Sequence, residues 1–293
     1  MYKFDFVAPR SPEDAVAQLR DRGPGGKLLA GGTDLLLQTK ARLVKPAYLV
    51  DLSHLPELER LDRRPGEGLW IGAMVRARAI QQSPLFQDGY RLIADGAGLI
   101  GSIQIRNLAT VGGNLCNAAP SADVAPPLIA AGARAEILGP EGARSVPLDE
   151  FFLGPRRTVL GPSELLLGVW IPEPAPNSGG HYLRHTPRKE MDIAVVGVAS
   201  AITLDGDRCA EVRIVLGAVA PTPVRATKAE AALRGQTVSL EAIDHAARLA
   251  AEDARPISDV RGNADFRRHL VEVLGRRTLT VAWNTAKQGV ANR

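Results

Sequence analysis

Leu29-Ala30-Gly31-Gly32-Thr33-Asp34-Leu35 is the stretch from which the fold can be read. Residues 27–30 have strand character and residues 33–43 have helical character, so the glycine pair marks a tight turn where a strand gives way to a helix. Working outward, residues 4–7 predict an earlier strand. Ser11-Pro12-Glu13-Asp14 predicts a helix start: serine caps, proline suits the first helical position, and acids favour the positive helix end. Ala15, Val16 and Leu19 give that helix an apolar side, and the glycines at 23–26 stop it. Residues 48–52, after Pro46, predict a third strand. The result is a β-α-β-α-β unit, compact enough to favour parallel pairing.

The same stretch carries chemistry. Glycine lets the backbone approach a ligand closely, successive main-chain N–H groups form an anion nest, and a following helix adds donors and a favourable dipole. A second stretch, Thr110-Val111-Gly112-Gly113-Asn114, again pairs two glycines with hydroxyl and amide groups. Two such cradles suit a diphosphate held from two sides; two ordinary tight turns are the alternative. Ser121 and Asp123 follow closely. Either can cap a helix predicted over 122–131, and Asp123 can equally accept hydrogen bonds from a sugar-like chain. Residues 184–192 form a polar, cationic run before an apolar one, which reads either as a solvated face or as cations beside an electron-rich ring. Gly96-Ala97-Gly98-Leu99-Ile100-Gly101 spells GxGxxG, but residues 90–95 before it are helical and no strand presents Asp123 as a ribose ligand. A glycine-rich helix end is therefore preferred to a dinucleotide fingerprint.

Further along, residues 58–62 and 69–75 predict a hairpin around Pro65-Gly66-Glu67-Gly68. Helices are predicted at 76–81 and 90–100, and strands at 134–138, 144–148 and 165–171. The Pro- and Gly-rich run 172–180 is the best linker in the chain. Beyond it come strands at 181–186, 193–204 and 211–219 and helices at 228–234, 239–254 and 263–289, the last with Phe266, Leu270, Val273, Leu274 and Leu279 as its apolar face. The expected domains are 1–55, 56–176 and 177–293.

Composition excludes several classes. With 293 residues, 45% apolar and 23% charged, the chain can bury a sizeable core, so disorder is not its dominant state. Lys+Arg 36 against Asp+Glu 32 leaves +4, too little to announce a nucleic-acid binder. Two cysteines, Cys116 and Cys209, cannot build a four-cysteine cluster or a disulfide framework. The five histidines show no metal spacing. Without a signal peptide or an apolar run of eighteen residues, a cytoplasmic location is expected.

Taken together, "LLAGGTDLL" (28–36), "IGSIQIRNLATVGGNLCNAAPSADVAPPL" (100–128), "RKEMDIAVVGVA" (188–199) and "EDARPISDVRGNADFRRHLVEVL" (252–274) resemble the FAD-binding medium subunit of molybdenum hydroxylases such as carbon monoxide dehydrogenase and bacterial xanthine dehydrogenase. The resemblance covers most of the chain, in order. It implies an α+β fold: a p-cresol methylhydroxylase-type FAD-binding domain of two α/β subdomains, then a C-terminal domain of antiparallel sheet with helices. It implies that Leu29, Ala30, Gly31, Gly32, Thr33, Asp34 and Leu35, with Thr110, Val111, Gly112, Gly113 and Asn114, clasp the FAD pyrophosphate. Gly101, Asp123, Leu166 and Arg184 then contact its adenine, ribityl or flavin portions, and Lys189 with Arg188 lies beside the isoalloxazine. Ile193 stands where some relatives place a flavin-side tyrosine. The implied role is to pass electrons from iron–sulfur clusters of a partner to an external acceptor such as NAD⁺ or oxygen. The implied partners are a large molybdopterin subunit and a small [2Fe-2S] subunit, in a dimer of heterotrimers. A self-sufficient FAD-dependent oxidoreductase on the same fold is the alternative, argued against by the lack of an evident catalytic base. An NAD-dependent dehydrogenase built on residues 96–101 and a binding module that has lost its flavin are the further rivals.

Overall fold

The computed structural model describes residues 3–291. Its first sheet is built from β1 (Asp5–Val7), α1 (Pro12–Arg22), β2 (Gly26–Leu29), α2 (Leu35–Lys40) and β3 (Tyr48–Asp51). The strand order is β1-β3-β2 and both pairings are parallel, as the short βα connections require. The Ser11 side chain accepts the Asp14 N–H, Pro12 opens α1, and Ala15, Val16 and Leu19 are its buried face.

A larger antiparallel sheet follows, in the order β4-β5-β10-β6-β7. Its chain order is β4 (Leu61–Arg64), β5 (Gly68–Gly72), α3 (Ala77–Gln82), α4 (Arg91–Gly98), α5 (Ile103–Arg106), α6 (Val111–Asn117), α7 (Ala125–Ala130), β6 (Arg134–Gly139), β7 (Gly142–Pro147), β8 (Phe152–Gly154), β9 (Arg157–Thr158) and β10 (Leu165–Pro172). Leu69, Ile71, Ile137 and Val169 pack against Leu92, Ile93, Leu115 and Leu128 from the helices. The first sheet's own core, with Val16, Leu19 and Val50, is closed by Leu58, Met74 and Leu165.

The C-terminal part is a four-stranded antiparallel sheet, β11 (Ser178–His185), β12 (Val196–Asp205), β13 (Arg208–Gly217) and β14 (Val224–Arg225), covered by α8 (Thr227–Leu233), α9 (Leu240–Asp253) and α10 (Ala264–Ala291). One sheet face packs on these helices in a separate core. The other face turns toward the middle of the molecule: Tyr182, Ala199 and Val215 belong to the core that contains α4 and α7.

The GxGxxG run is the helix end expected of it, because α4 runs to Gly98. Three differences from the sequence reading remain. Thr110–Asn114 is not a turn: Thr110 caps α6 and the glycines lie in its first helical turn. Neither Ser121 nor Asp123 caps α7, whose N-cap residue is Val124 with no side-chain bond. The apolar face of α10 is only partly as expected. Leu274 and Leu279 are buried and Leu270 packs against the same core, but Phe266 is exposed, and Arg267, Val271, Thr278, Ala282 and Ala286 complete a buried helical spacing that includes one arginine and one threonine. That arginine is satisfied by the Val195 carbonyl at 2.8 Å and Asp259 at 2.7 Å.

Candidate cofactor site

The two glycine-bearing stretches, 79 residues apart at Gln38 and Asn117, meet in space: those two side chains approach to 3.5 Å. Gly31 lies against the main chain of Leu108 and Ala109, and no residue with a Cβ fits there without running into the Leu108 carbonyl. A Cβ on Gly113 would sit 3.9 Å from the Ala30 Cβ. On its other side α6 lies against β5, where the Gly112 N–H donates to the Ala73 carbonyl at 2.8 Å. The glycines are thus the means by which a turn, a helix start and a strand end come within backbone distance.

The two stretches differ in what they offer a ligand. Among the described residues, no chain oxygen accepts from the N–H groups of Gly31, Gly32, Thr33 or Asp34. Gly32 holds φ +71°, which turns successive amides toward one side. At the second stretch the expected nest of free amides is not found. Val111 N–H donates to Val75, Gly112 to Ala73, Gly113 to the Thr110 hydroxyl and Asn114 to the Thr110 carbonyl. What this side offers instead is a side chain: Asn114 Oδ1 is buried and has no partner. A buried amide oxygen without a donor costs about 1–3 kcal/mol, so it marks a place where a hydroxyl or amine of a ligand belongs. Free amides in one stretch and an orphaned acceptor in the neighbouring one fit a dinucleotide, whose diphosphate needs donors and whose sugars supply them.

Deeper in, Asp123 is 6% exposed. Its Oδ1 accepts from the Tyr182 hydroxyl at 2.9 Å, and its Oδ2 is paired with the Arg184 guanidinium. Burial pushes the Asp123 carboxyl up to about 6, against the lowering effects of Arg184's charge and of both hydrogen bonds. Burial also raises the Tyr182 phenol well above its ordinary value. Arg184 is thus the counter-ion of Asp123.

The cationic run lies in the turn between β11 and β12. The Met191 N–H donates to the Gly101 carbonyl at 3.3 Å, and Glu190 lies 4.0 Å from Arg106. Gly101, at φ +47°, is thereby brought to the base of the turn that presents Lys189. Arg188 is exposed and folded back on its own turn, donating to the Met191 carbonyl and pairing with Asp192. Leu166 and Val111 are expected site residues whose side chains are withdrawn: they are 2% and 1% exposed, in the core with Leu115.

Three residues were missed by the sequence reading. Arg106 is buried and donates to Gln81 and to the Ile100 carbonyl, fixing the 100–106 segment. Arg156, at φ +59° between β8 and β9, sits by Asp34. Partial burial raises that carboxyl and the Arg156 charge opposes it. Tyr182 completes the Asp123 cluster. Only Tyr182 left a signal, since strand alternation puts it on the same face as Arg184. Among the described residues no group of histidine, cysteine, aspartate and glutamate could hold a metal, and no helix is long and apolar enough to cross a membrane.

Residues 2–174 match the family model for the FAD binding domain in molybdopterin dehydrogenase, and residues 181–282 that for the CO dehydrogenase flavoprotein C-terminal domain. The chain is 36% identical to the carbon monoxide dehydrogenase medium chain of Hydrogenophaga pseudoflava, over 96% of this chain and 97% of that one. It is 33% identical to a putative xanthine dehydrogenase FAD-binding subunit of Escherichia coli (strain K12), over 95% and 97%. A solved carbon monoxide dehydrogenase from H. pseudoflava superposes with a TM-score of 0.93, at 36% identity and with 97% and 98% of the chains covered. A chain of quinoline 2-oxidoreductase from Pseudomonas putida 86 gives 0.90, at 31% identity and with 97% and 98% covered. The protein belongs to the family of FAD-binding medium subunits of molybdenum-containing hydroxylases and dehydrogenases.

Proposed function

We propose that this chain is the flavin subunit of a molybdenum hydroxylase, taking electrons from a small [2Fe-2S] subunit that is fed by a large molybdopterin subunit, and handing them to an external acceptor such as NAD⁺ or oxygen. The assembly would be a dimer of heterotrimers in the cytoplasm. The observation that carries the reading is the free amide run Gly31–Asp34 together with the orphaned Asn114 Oδ1 in the stretch packed beside it. Gly31, Gly32, Thr33 and Asp34 would hold the diphosphate through their N–H groups, with Ala30 and Leu35 shaping the turn. Thr110, Val111, Gly112 and Gly113 would place Asn114 beside the cofactor. Asp123 would accept hydroxyl hydrogen bonds from the ribityl chain. Gly101 and Lys189 would border the ring, where a cation favours the reduced, anionic form. When bound, FAD supplies a centre that accepts electrons singly and releases them in pairs; the chain itself contributes binding, orientation and electrostatics.

The test is to co-express the chain with its presumptive partner subunits, purify it and record the visible spectrum and the co-purifying chains. Flavin absorbance together with iron–sulfur and molybdenum subunits is the expected result. A colourless preparation that refuses added FAD would remove the reading. Reduction of the isolated yellow chain by a small-molecule substrate would favour the self-sufficient oxidoreductase instead.

A further inference from the structure

Tyr182 is among the largest fully buried side chains, yet it stands on a C-terminal strand while its ring lies in the central core of the FAD-binding part. A large aromatic can be buried there only because Gly197, its neighbour across β11 and β12, has no side chain: a Cβ on Gly197 would lie 2.5 Å from the Tyr182 hydroxyl oxygen. The hydroxyl is aimed at Asp123 Oδ1 at 2.9 Å. A phenol buried this deeply is strongly disfavoured as an anion, so it acts as a donor and not as a second acceptor.

We propose that Tyr182 is a positioning residue for the cofactor: from the C-terminal sheet its hydroxyl holds the Asp123 carboxylate in the orientation and charge state in which it accepts hydroxyl hydrogen bonds from the polyol chain of FAD. The inference rests on the flavin-subunit reading. Its chemical basis is a division of labour at one carboxylate. An ionised carboxylate has about four acceptor positions, of which Tyr182 and Arg184 use two, leaving the others for a ligand's hydroxyls. A protonated carboxyl loses acceptor capacity and leaves Arg184 as a buried cation without its partner. The titratable and charged groups facing Asp123 are Tyr182 and Arg184, both from β11; α4 presents only Gly96, against the Asp123 main chain. With both partners present, burial places the Asp123 carboxyl at about 6, below neutral pH. Removing the phenol donor takes away one of the effects that lower it, so the carboxyl moves up toward neutral pH.

The experiment is FAD titration of the full apo-chain, by flavin fluorescence, from pH 5 to 8.5. The wild type, Tyr182→Phe and Thr278→Val are compared, with thermal unfolding of each recorded. Tyr182→Phe keeps the ring and its packing. Thr278→Val removes a different buried hydroxyl contact, that to Ser200 at 2.8 Å. The wild type is expected to lose affinity below about pH 6. Tyr182→Phe should bind about tenfold more weakly at pH 7 and recover to within about threefold at pH 8.5, its acid limb displaced upward. Thr278→Val should melt earlier with the wild-type pH profile. Gly197→Ala, which crowds the hydroxyl without deleting it, should reproduce the displaced limb. A Tyr182→Phe curve that runs parallel to the wild type at every pH would reduce Tyr182 to a packing residue and overturn the inference, while leaving the flavin reading intact. A wild-type affinity flat from pH 5 to 8.5 would also overturn it. A wild-type chain that takes no FAD at any pH would remove both.

Discussion

Replacing Gly112 by alanine tests the claim that the site depends on how closely α6 approaches β5. An alanine Cβ at that position would lie 2.6 Å from the Ala73 Cβ and 2.7 Å from the Ala73 carbonyl oxygen. Ordinary contacts of this kind are about 3.5–4.0 Å, so the helix must back away by about 1 Å. That movement stretches the 2.8 Å bond from the Gly112 N–H to Ala73 to a length at which little of it survives. Overpacking costs about 1–3 kcal/mol and the lost hydrogen bond about 1 kcal/mol more, giving an expected stability loss of about 2–4 kcal/mol. Asn114, two residues on, moves with the helix, so its oxygen no longer meets a ligand held by the amides of Gly31–Asp34. One lost hydrogen bond to a held ligand, with its orphaned partner, costs about 1.5–3 kcal/mol, or a Kd about 10–100-fold weaker. FAD titration and urea unfolding of the apo-chain read the two effects separately. Gly113→Ala is the internal comparison. Its Cβ would meet the Thr110 hydroxyl at 3.0 Å and the Ala30 Cβ at 3.9 Å, contacts that a small rotation relieves, so less than a tenfold loss is expected. A Gly112→Ala protein that binds FAD within threefold of the wild type and unfolds at the same urea concentration would show that the close approach is unimportant.

Other perturbations reach other parts of the argument. Gly32→Asp places a side chain and a negative charge at φ +71° beside the free amides, and should abolish FAD retention; normal flavin content after gel filtration would refute it. Arg184→Glu would set a second buried carboxylate against Asp123, so flavin should be lost together with about 3–5 kcal/mol of stability, not retained at a lowered potential; a yellow, stable variant would contradict this. Gly275→Ala lies within α10, where a Cβ would make ordinary contacts of 3.7 and 3.8 Å with Ala247, and should stabilise the chain by about 0.5–1 kcal/mol in urea unfolding; a destabilised variant would show that α9 and α10 are packed more tightly than these distances. The apo-chain's pH dependence has a definite sign at Asp123. Its folded value of about 6 exceeds its ordinary 3.8, so the folded state binds that proton more tightly and ionisation weighs against folding above pH 6. The stability of the wild type relative to Asp123→Asn should therefore rise by about 2 kcal/mol as pH falls from 7.5 to 4.5. A pH-independent difference would show that Asp123 is not held in this environment.

Much of the fold was legible in the sequence because local signals and tertiary needs agreed. Ser11-Pro12 starts α1, the glycine pair at 31–32 ends the β2 unit, and Asp205-Gly206-Asp207 turns β12 into β13. The second glycine stretch was legible as a site but not as a conformation. Two glycines disfavour a helix, and what overrides that here is the Thr110 cap together with the contact with β5, neither of which is a local property of residues 111–114. The short β8–β9 pair and Arg156 carry no periodic pattern long enough to read. Leu166 and Arg184 were placed by likeness to a motif, which fixes a position along the chain but not which way a side chain faces: one turns into a core and the other onto a carboxylate.

The Asp123 cluster also bears on what kind of unit the two matched domains form. Asp123 lies within residues 2–174, whereas Tyr182 and Arg184 lie within residues 181–282. With Asp123 in the cofactor site, as proposed, that site is not the property of the FAD-binding domain alone. A ligand that touches Asp123 only when Arg184 and Tyr182 are in place binds the docked arrangement and not the separated one. By mass action it then stabilises the docking of the C-terminal sheet along with itself. The face of that sheet is built accordingly: small residues such as Ala199 let it lie close to the central core, and two large side chains it inserts, Tyr182 and Arg184, end on the carboxylate. On the proposed function, cofactor binding and assembly of the two domains would be one equilibrium read at two places.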